Sequence, residues 1–342
     1  MTAVHAPSIL AFNSAERVFS VLIASAYRKS SLAKMDLSKC RPAMLATLRR
    51  RTKMGLPVQL TVLAFPFKVP NPAKVGERRL PDFAELAAIR HLGSLRDAVQ
   101  RIYPPGLEFH ILHDGSLIRG VFGIESQEVH QYETYFAGLV AEDHASHFIR
   151  CHDFRKLQQR SGFDTCGSIE QLRLAAKRWW QRHYGTAEWK CSFQKTLGMI
   201  NVREFSVAAV TIIMKHAIAG RLPPEYARLE QRVHEAMVQY HVQDAVIHQF
   251  DPRPYCFPDA IHATTRERRG RLSIWMVRRG QSLLPWHGVG CLDALGRPQV
   301  VHAAQVSEKY CPEFIGGENA PFRYRQLAKS TTTDLALPNR ER

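Results

Sequence analysis

An α/β fold, with a mostly parallel sheet flanked by helices and additional helical segments, is predicted by three features of this sequence. Residues 58–65 and 107–112 are short apolar runs rich in β-branched and aromatic side chains, the pattern of strands covered on both faces. Between them lies a helical stretch long enough to carry a parallel crossover. A second helical stretch follows the second run, giving the order strand–helix–strand–helix.

The elements follow from local signals. Residues 1–13 carry no regular pattern and are expected to be loose. Residues 14–29, opened by Ser14, and residues 41–53, ended by Gly55 and Pro57, are predicted helices. Residues 1–54 are thus an N-terminal helical segment packed on the core. The first strand empties into Pro66, Pro70 and Pro72, which forbid continuation and fix φ at three places. Asp82 and Glu85 form a capping box, and apolar residues at 83, 86, 89, 92, 95 and 99 keep helical spacing. Pro104-Pro105-Gly106 stops that helix, and the second strand runs into His113-Asp114-Gly115. Ser126 opens a helix to about residue 140. Residues 141–167 are polar and His-rich, read as loop and short helix. Ser168 and Gln171 cap a helix to about His183, and residues 205–219 and 224–247 are further helices. Residues 55–327 therefore read as one α/β domain with a helical insert at about 141–250. Residues 249–263 read as irregular, 271–277 as a strand by alternation, and 286–292 with 299–303 as a strand pair around a turn. The tail from residue 328 has a disordered composition.

Composition narrows the class. Hydrophobic content of 45% and charged content of 23% are ordinary for a globular protein. No apolar run approaches the roughly 18 residues of a membrane span. No basic leader with a cleavage site precedes the apolar patch at residues 18–26, so the expected location is the cytoplasm. The 7 cysteines are scattered and never in C-x-x-C, which fits reduced thiols. Net charge is +16, a surface that attracts anions. The basic runs at 49–53, 266–271 and 278–279 have no zinc-finger, RNP-type or basic-zipper context, so neither nucleic acid nor membrane is an expected partner.

Four places carry candidate chemistry. The loop after the first strand holds Lys68 and Lys74, with Arg78 and Arg79 close behind. Stiff backbone and cations past the carboxyl end of a central strand suit an anionic small molecule, although a solvated basic loop has the same look. The second strand ends in a carboxylate beside a glycine, so Asp114 stands at the sheet's carboxyl edge as a candidate base, although Asp-Gly is also a common turn. Trp286-His287-Gly288 places a histidine between a large aromatic and a glycine at a strand start, although a lone histidine is often simply a core residue. Arg271 and Ser273 share one face of an alternating strand, and arginine matches carboxylate or phosphate bidentately. His144, His147, Cys151 and His152 lack a standard metal-ligand spacing, and no P-loop, GxGxxG, GxSxG or HExxH is present, so no metal or cofactor is expected.

Read together, these segments resemble a known family. The matching residues are Phe65-Pro66-Phe67-Lys68 with Pro70-Asn71-Pro72 and Lys74-Val75, then Leu80-Pro81-Asp82 with Glu85-Leu86. Ile102-Tyr103 with Pro105-Gly106, Asp114-Gly115, Gly123-Ile124, Arg271-Leu272-Ser273-Ile274 and Pro285-Trp286-His287-Gly288-Val289 follow in order. They resemble the pyoverdine/dityrosine biosynthesis family, whose members include isonitrile (isocyanide) synthases, over about residues 55–140 and 255–305. The resemblance implies a Rossmann-like fold. It implies conversion of an amino acid's α-amino group, typically of tyrosine or tryptophan, to an isonitrile with ribulose 5-phosphate as carbon donor. A yeast relative makes an N-formyl tyrosine instead. It further implies a secondary-metabolite setting with a downstream iron/2-oxoglutarate oxygenase or peptide synthetase. On this reading Asp114, His287 and Lys68 form the catalytic set. Lys68, Lys74 and Arg78 supply cations for the sugar phosphate, with either lysine as its ligand, Arg271 holds the carboxylate, and His113, Ser273 and Trp286 contact substrate. Two departures stand out: many members carry Ser in place of His113, and often Asp near Glu125.

Overall fold

The computed structural model describes residues 9–26, 37–163, 166–200, 211–213, 215–216, 219, 226–266, 271–315 and 319–327. The tail from residue 328, residues 1–8 and most of the predicted 205–219 helix lie outside them. Two helices come first, α1 (Ile9–Ala24) and α2 (Leu37–Lys53), followed by β1 (Val58–Leu63), α3 (Pro72–Val75) and α4 (Phe83–Gln100). Next are β2 (Leu107–His113), α5 (Gly115–Phe122), α6 (Ser126–Glu142), β3 (Ile149–Asp153) and α7 (Phe154–Arg160). The helical insert holds α8 (Cys166–Arg182), α9 (Ala187–Leu197) and α10 (Ala227–Gln249). The chain closes with α11 (Arg253–Cys256), β4 (Ile261–Ala263), β5 (Val289–Leu292), β6 (Pro298–Val301), β7 (Tyr310–Glu313) and β8 (Arg323–Gln326).

The main sheet is four-stranded and fully parallel, in the order β3-β2-β1-β4. β1 is central: Val58, Leu60, Thr61 and Val62 have no exposed surface. That is why it reads as a continuous apolar run rather than an alternating one. Asp82 Oδ1 accepts from the Ala84 N–H at 2.6 Å and Glu85 Oε2 from the Asp82 N–H at 2.9 Å, so the predicted capping box starts α4.

A second four-stranded sheet, order β6-β5-β8-β7, packs against α4. A Cβ on Gly290 would sit 2.3 Å from the Ala84 nitrogen, so only glycine lets β5 cross the start of α4 this closely.

Several boundaries differ from the sequence reading. β3 and β4 fall in stretches read as loop, because each is a short edge strand with little pattern of its own. Their pairing with β2 and β1 supplies the order. The predicted 271–277 strand is reduced to single bridges, Thr264 with Ser273 and Ala26 with Ile274. Helix α1 begins before Ser14, which lies inside it rather than capping it.

Candidate active site

The chain runs outward from β1 to β2 and β3, then returns to β4 on the other side of β1. That reversal is a topological switch point, and ligands in open α/β sheets bind outside the carboxyl ends of the strands there. A cavity of about 170 Å³ occupies this place. Its floor is Leu63, Ala64 and Pro66 from the end of β1, with Asp114 after β2 and Thr264 to Arg266 after β4. Arg271, Trp286 and His287 form one wall; Ile118 and Phe122 of α5 and Tyr240 of α10 form the apolar side.

Asp114 caps α5 by position, but its side chain makes no capping hydrogen bond. Burial pushes its carboxyl up to about 7, opposed only by its own backbone N–H. Gly115 explains the tight approach: a Cβ there would lie 2.3 Å from the Pro66 oxygen and 2.9 Å from Val129 Cγ1. The Asp-Gly pair is therefore the point where the starts of α5 and α6 press on the end of β1.

His287 stands on a 3-10 turn, Pro285–His287, just before β5. Burial, then Arg266, Lys74, His302 and Lys195, hold its imidazole well below the usual range. It is neutral at physiological pH, with one ring nitrogen to donate and one to accept. Arg266, Lys74 and Lys195 make the surroundings cationic, whereas burial and Lys74 lower His302 itself. Lys74 on α3 lies outside the cavity lining; burial and then Arg266 lower its pKa. A Cβ on Gly198 would sit 3.2 Å from Lys74 Nζ. Asn71 anchors this corner, accepting from the Ala73 N–H at 3.0 Å and donating to the Gly198 carbonyl at 3.2 Å.

Lys68 takes a different place from the one read in the sequence. Its side chain is fully buried and Nζ is committed to oxygens: the Pro285 carbonyl at 3.0 Å, the Gly288 carbonyl at 2.8 Å, Asp82 at 3.1 Å and Glu85 at 3.0 Å. Burial pushes Glu85 up and Lys68 pulls it back, while the Tyr132 hydroxyl donates to Glu85 at 3.0 Å. The ammonium thus bolts the Pro-Trp-His-Gly turn to the start of α4 and has no donor left for a ligand. Arg78 is also an internal tie. Its Nε donates to the Pro81 carbonyl at 3.0 Å, Nη2 donates to the Tyr135 hydroxyl at 3.1 Å, and its guanidinium stacks over Tyr135 and Phe322. Lys68 as a catalytic or phosphate-binding group and Arg78 as a phosphate ligand are corrected on this ground.

His113 is 3% exposed and stands behind the cavity floor. Its Nδ1 bonds the Phe65 carbonyl at 2.8 Å, and Phe65 has φ of 55°, a left-handed conformation rare outside glycine. The imidazole thereby pins the irregular turn that carries the chain from β1 into the proline loop. Ser273 is buried and bonded to the Arg266 carbonyl at 2.9 Å, so it braces the cationic corner. Trp286 packs edge-on against Phe65 with centroids 5.1 Å apart and lines the cavity. The structure thus brings Asp114, Arg271, Trp286 and His287 to one cavity, with Lys74 nearby, and places Lys68, Arg78, His113 and Ser273 behind it. Arg266, Lys195 and His302 were missed. Arg266 follows β4 directly, and with β4 read as irregular its position at a strand end was invisible. No group of three or more His, Cys, Asp or Glu side chains among the described residues is arranged to hold a metal ion. None of the helices among those residues is long and apolar enough to cross a membrane.

Fold and site together define an α/β protein with a carboxyl, an imidazole and a cationic corner at its switch point. Residues 48–189 match the family model described as pyoverdine/dityrosine biosynthesis protein. It is 25% identical over 263 residues to an L-tyrosine isonitrile synthase of Xenorhabdus nematophila, covering 74% of this chain and 73% of that one. It is 24% identical over 317 residues to an isocyanide synthase of Aspergillus fumigatus, covering 84% of this chain but 39% of the longer fungal protein. The crystal structure of PvcA from Pseudomonas aeruginosa superposes with a TM-score of 0.62 at 22% identity, over 92% of this chain and 99% of that one, and bears out the α/β fold.

Proposed function

We propose that this protein is an isonitrile synthase, converting the α-amino group of an amino acid to an isonitrile with ribulose 5-phosphate as carbon donor. The reading rests on one observation above all. Asp114 and His287 line the same cavity, beside Arg271 and the Lys74/Arg266 corner, at the switch point of a fold shared with that family. The names of the relatives supply the reaction class, and the residues present suit it.

The sugar phosphate brings a dianion, which the Lys74 and Arg266 charges would hold. Arg271 takes the substrate carboxylate through its planar fork. Condensing an amine with a ketone, then losing water and phosphate, requires repeated proton transfers. An Asp114 carboxyl titrating near neutrality suits that work, as it accepts and returns protons at similar cost. Neutral His287 can donate a hydrogen bond to a developing alkoxide. Trp286 and the α5 side give an apolar wall for the amino acid side chain, for which an aromatic or large apolar group is the fitting class. Lys68 serves by holding the turn that aims His287. A secondary-metabolite setting, with a downstream oxygenase or peptide synthetase consuming the product, completes the proposal.

Mass spectrometry of the purified protein, given the twenty amino acids and ribulose 5-phosphate, tests it. The expected product is one amino acid that gains a carbon and loses both N–H hydrogens, with an isonitrile infrared stretch. A formylated amino acid instead would move the chain to the dityrosine-like reaction. No product from any amino acid would defeat the reading.

A further inference from the structure

A half-buried glutamate on α6, Glu133, stands behind Asp114. In the parallel register of β2 and β3, His113 pairs with Asp153, so the carboxyl edge of the sheet carries Asp114 and Asp153 on neighbouring strands. Helix α6 packs across this edge. Val129 meets Gly115, and Phe136 packs edge-on against the His113 ring with centroids 5.5 Å apart. Glu133 lies between them on the same helix, one turn beyond Val129.

Three buried polar atoms here lack a hydrogen-bond partner among the described residues: Glu133 Oε1, His113 Nε2 and Ser116 Oγ. Buried atoms of these kinds are ordinarily satisfied, by protein or by ordered water. Three in adjoining residues mark a polar interior seam rather than a packed apolar layer. The seam has an outlet. Asp153 is half-buried at the start of α7, where Oδ1 accepts from the Lys156 N–H at 3.0 Å.

We propose that Glu133 is the proton partner of Asp114, and that a buried relay runs from the cavity through Asp114 and Glu133 to Asp153 at the surface. The step is a proton transfer only. The O–H bond on Asp114 breaks as one forms on Glu133, the negative charge moves the other way, and Asp153 passes the proton to solvent. Burial, Asp153 and Asp114 push the Glu133 carboxyl up to about 7 while Lys156 opposes them, so donor and acceptor are matched. Cys151 also faces Glu133, and its thiol is pushed up by burial and by that carboxyl, so it stays protonated and outside the relay. His113, lowered by burial, is neutral and can bridge. The inference rests on the acid–base role of Asp114 given above.

Glu133→Gln keeps size and removes the titration. In the active enzyme we expect kcat to fall about tenfold or more with KM little changed, the loss being partly restored by small carboxylic acids in the buffer. Wild-type kcat and pH profile in this variant would overturn the relay. A kcat loss without buffer rescue would assign Glu133 a structural role and overturn it equally. A second measurement needs no substrate. The Asp114 carboxyl band, assigned by its disappearance in Asp114→Asn, is titrated by infrared spectroscopy in wild type and in Glu133→Gln. Loss of the neighbouring negative charge should move the Asp114 midpoint down. An unmoved midpoint means the two groups do not communicate, whatever reaction the enzyme performs.

Discussion

Asp114 carries an opposition between stability and function. Its carboxyl ionises near 4 in the unfolded chain but at about 7 in the folded one. The folded state therefore holds the proton longer, so this group's contribution to stability is full below about 4 and is lost as pH rises through about 7. Asp114→Asn should accordingly stabilise the protein at pH 8, by on the order of 2 kcal/mol allowing for partial exposure, and have little effect at pH 4. Urea denaturation at the two pH values measures this. The same substitution, like His287→Ala, should cut turnover by about 10²–10⁴. Because the base must be ionised, kcat/KM in the wild type should rise with pH through about 7, and a flat profile would remove Asp114 from the chemistry. Lys68 behaves in the opposite way. Lys68→Met strands the buried Asp82 and Glu85 carboxylates, so its expected signature is a stability loss of about 3–5 kcal/mol rather than a weaker hold on phosphate.

At the level of elements, the site is a meeting of starts and ends. The end of β1, the start of α5, the 3-10 turn before β5 and the start of α4 are joined by Gly115, Lys68 and the His113–Phe65 bond. Two glycines of α5 separate local from tertiary constraint. Gly115→Ala drives a methyl into the Pro66 carbonyl, so the helix must shift and carry Asp114 with it. Activity should fall and stability drop by about 1–3 kcal/mol. Gly120 has nothing within 4 Å of a built Cβ, so Gly120→Ala should raise stability by up to about 1 kcal/mol and spare activity. Thermal melts with turnover assays on the pair distinguish a helix-propensity effect from a site effect.

Over the whole molecule, the net charge of +16 acquires a focus. Lys74, Arg266 and Lys195 converge on His287, at the mouth where strand ends point. A field of this sign draws anions toward the cavity and is weakened by salt. Lys74→Ala should raise KM for the phosphorylated donor about tenfold while leaving the amino acid KM nearly unchanged. Inorganic phosphate should compete with the donor but not with the amino acid. Steady-state kinetics at two ionic strengths checks both.

Local sequence carried much of this by itself. The two central strands, the capped helix between them, the proline loop and the Asp-Gly edge are all written in short-range signals: apolar runs, a capping box, fixed φ angles. The Pro-Trp-His-Gly segment likewise announced its histidine. Edge strands β3 and β4 were not legible, because their order comes from pairing with strands distant in the chain. Neither was the fate of each cation. Lys68 and Lys74 lie six residues apart in one loop, yet one is sealed among carboxylates and carbonyls while the other is left beside Arg266. Charge is a property of the residue, but availability is set by which buried oxygens the fold brings to it, and only the tertiary structure decides that.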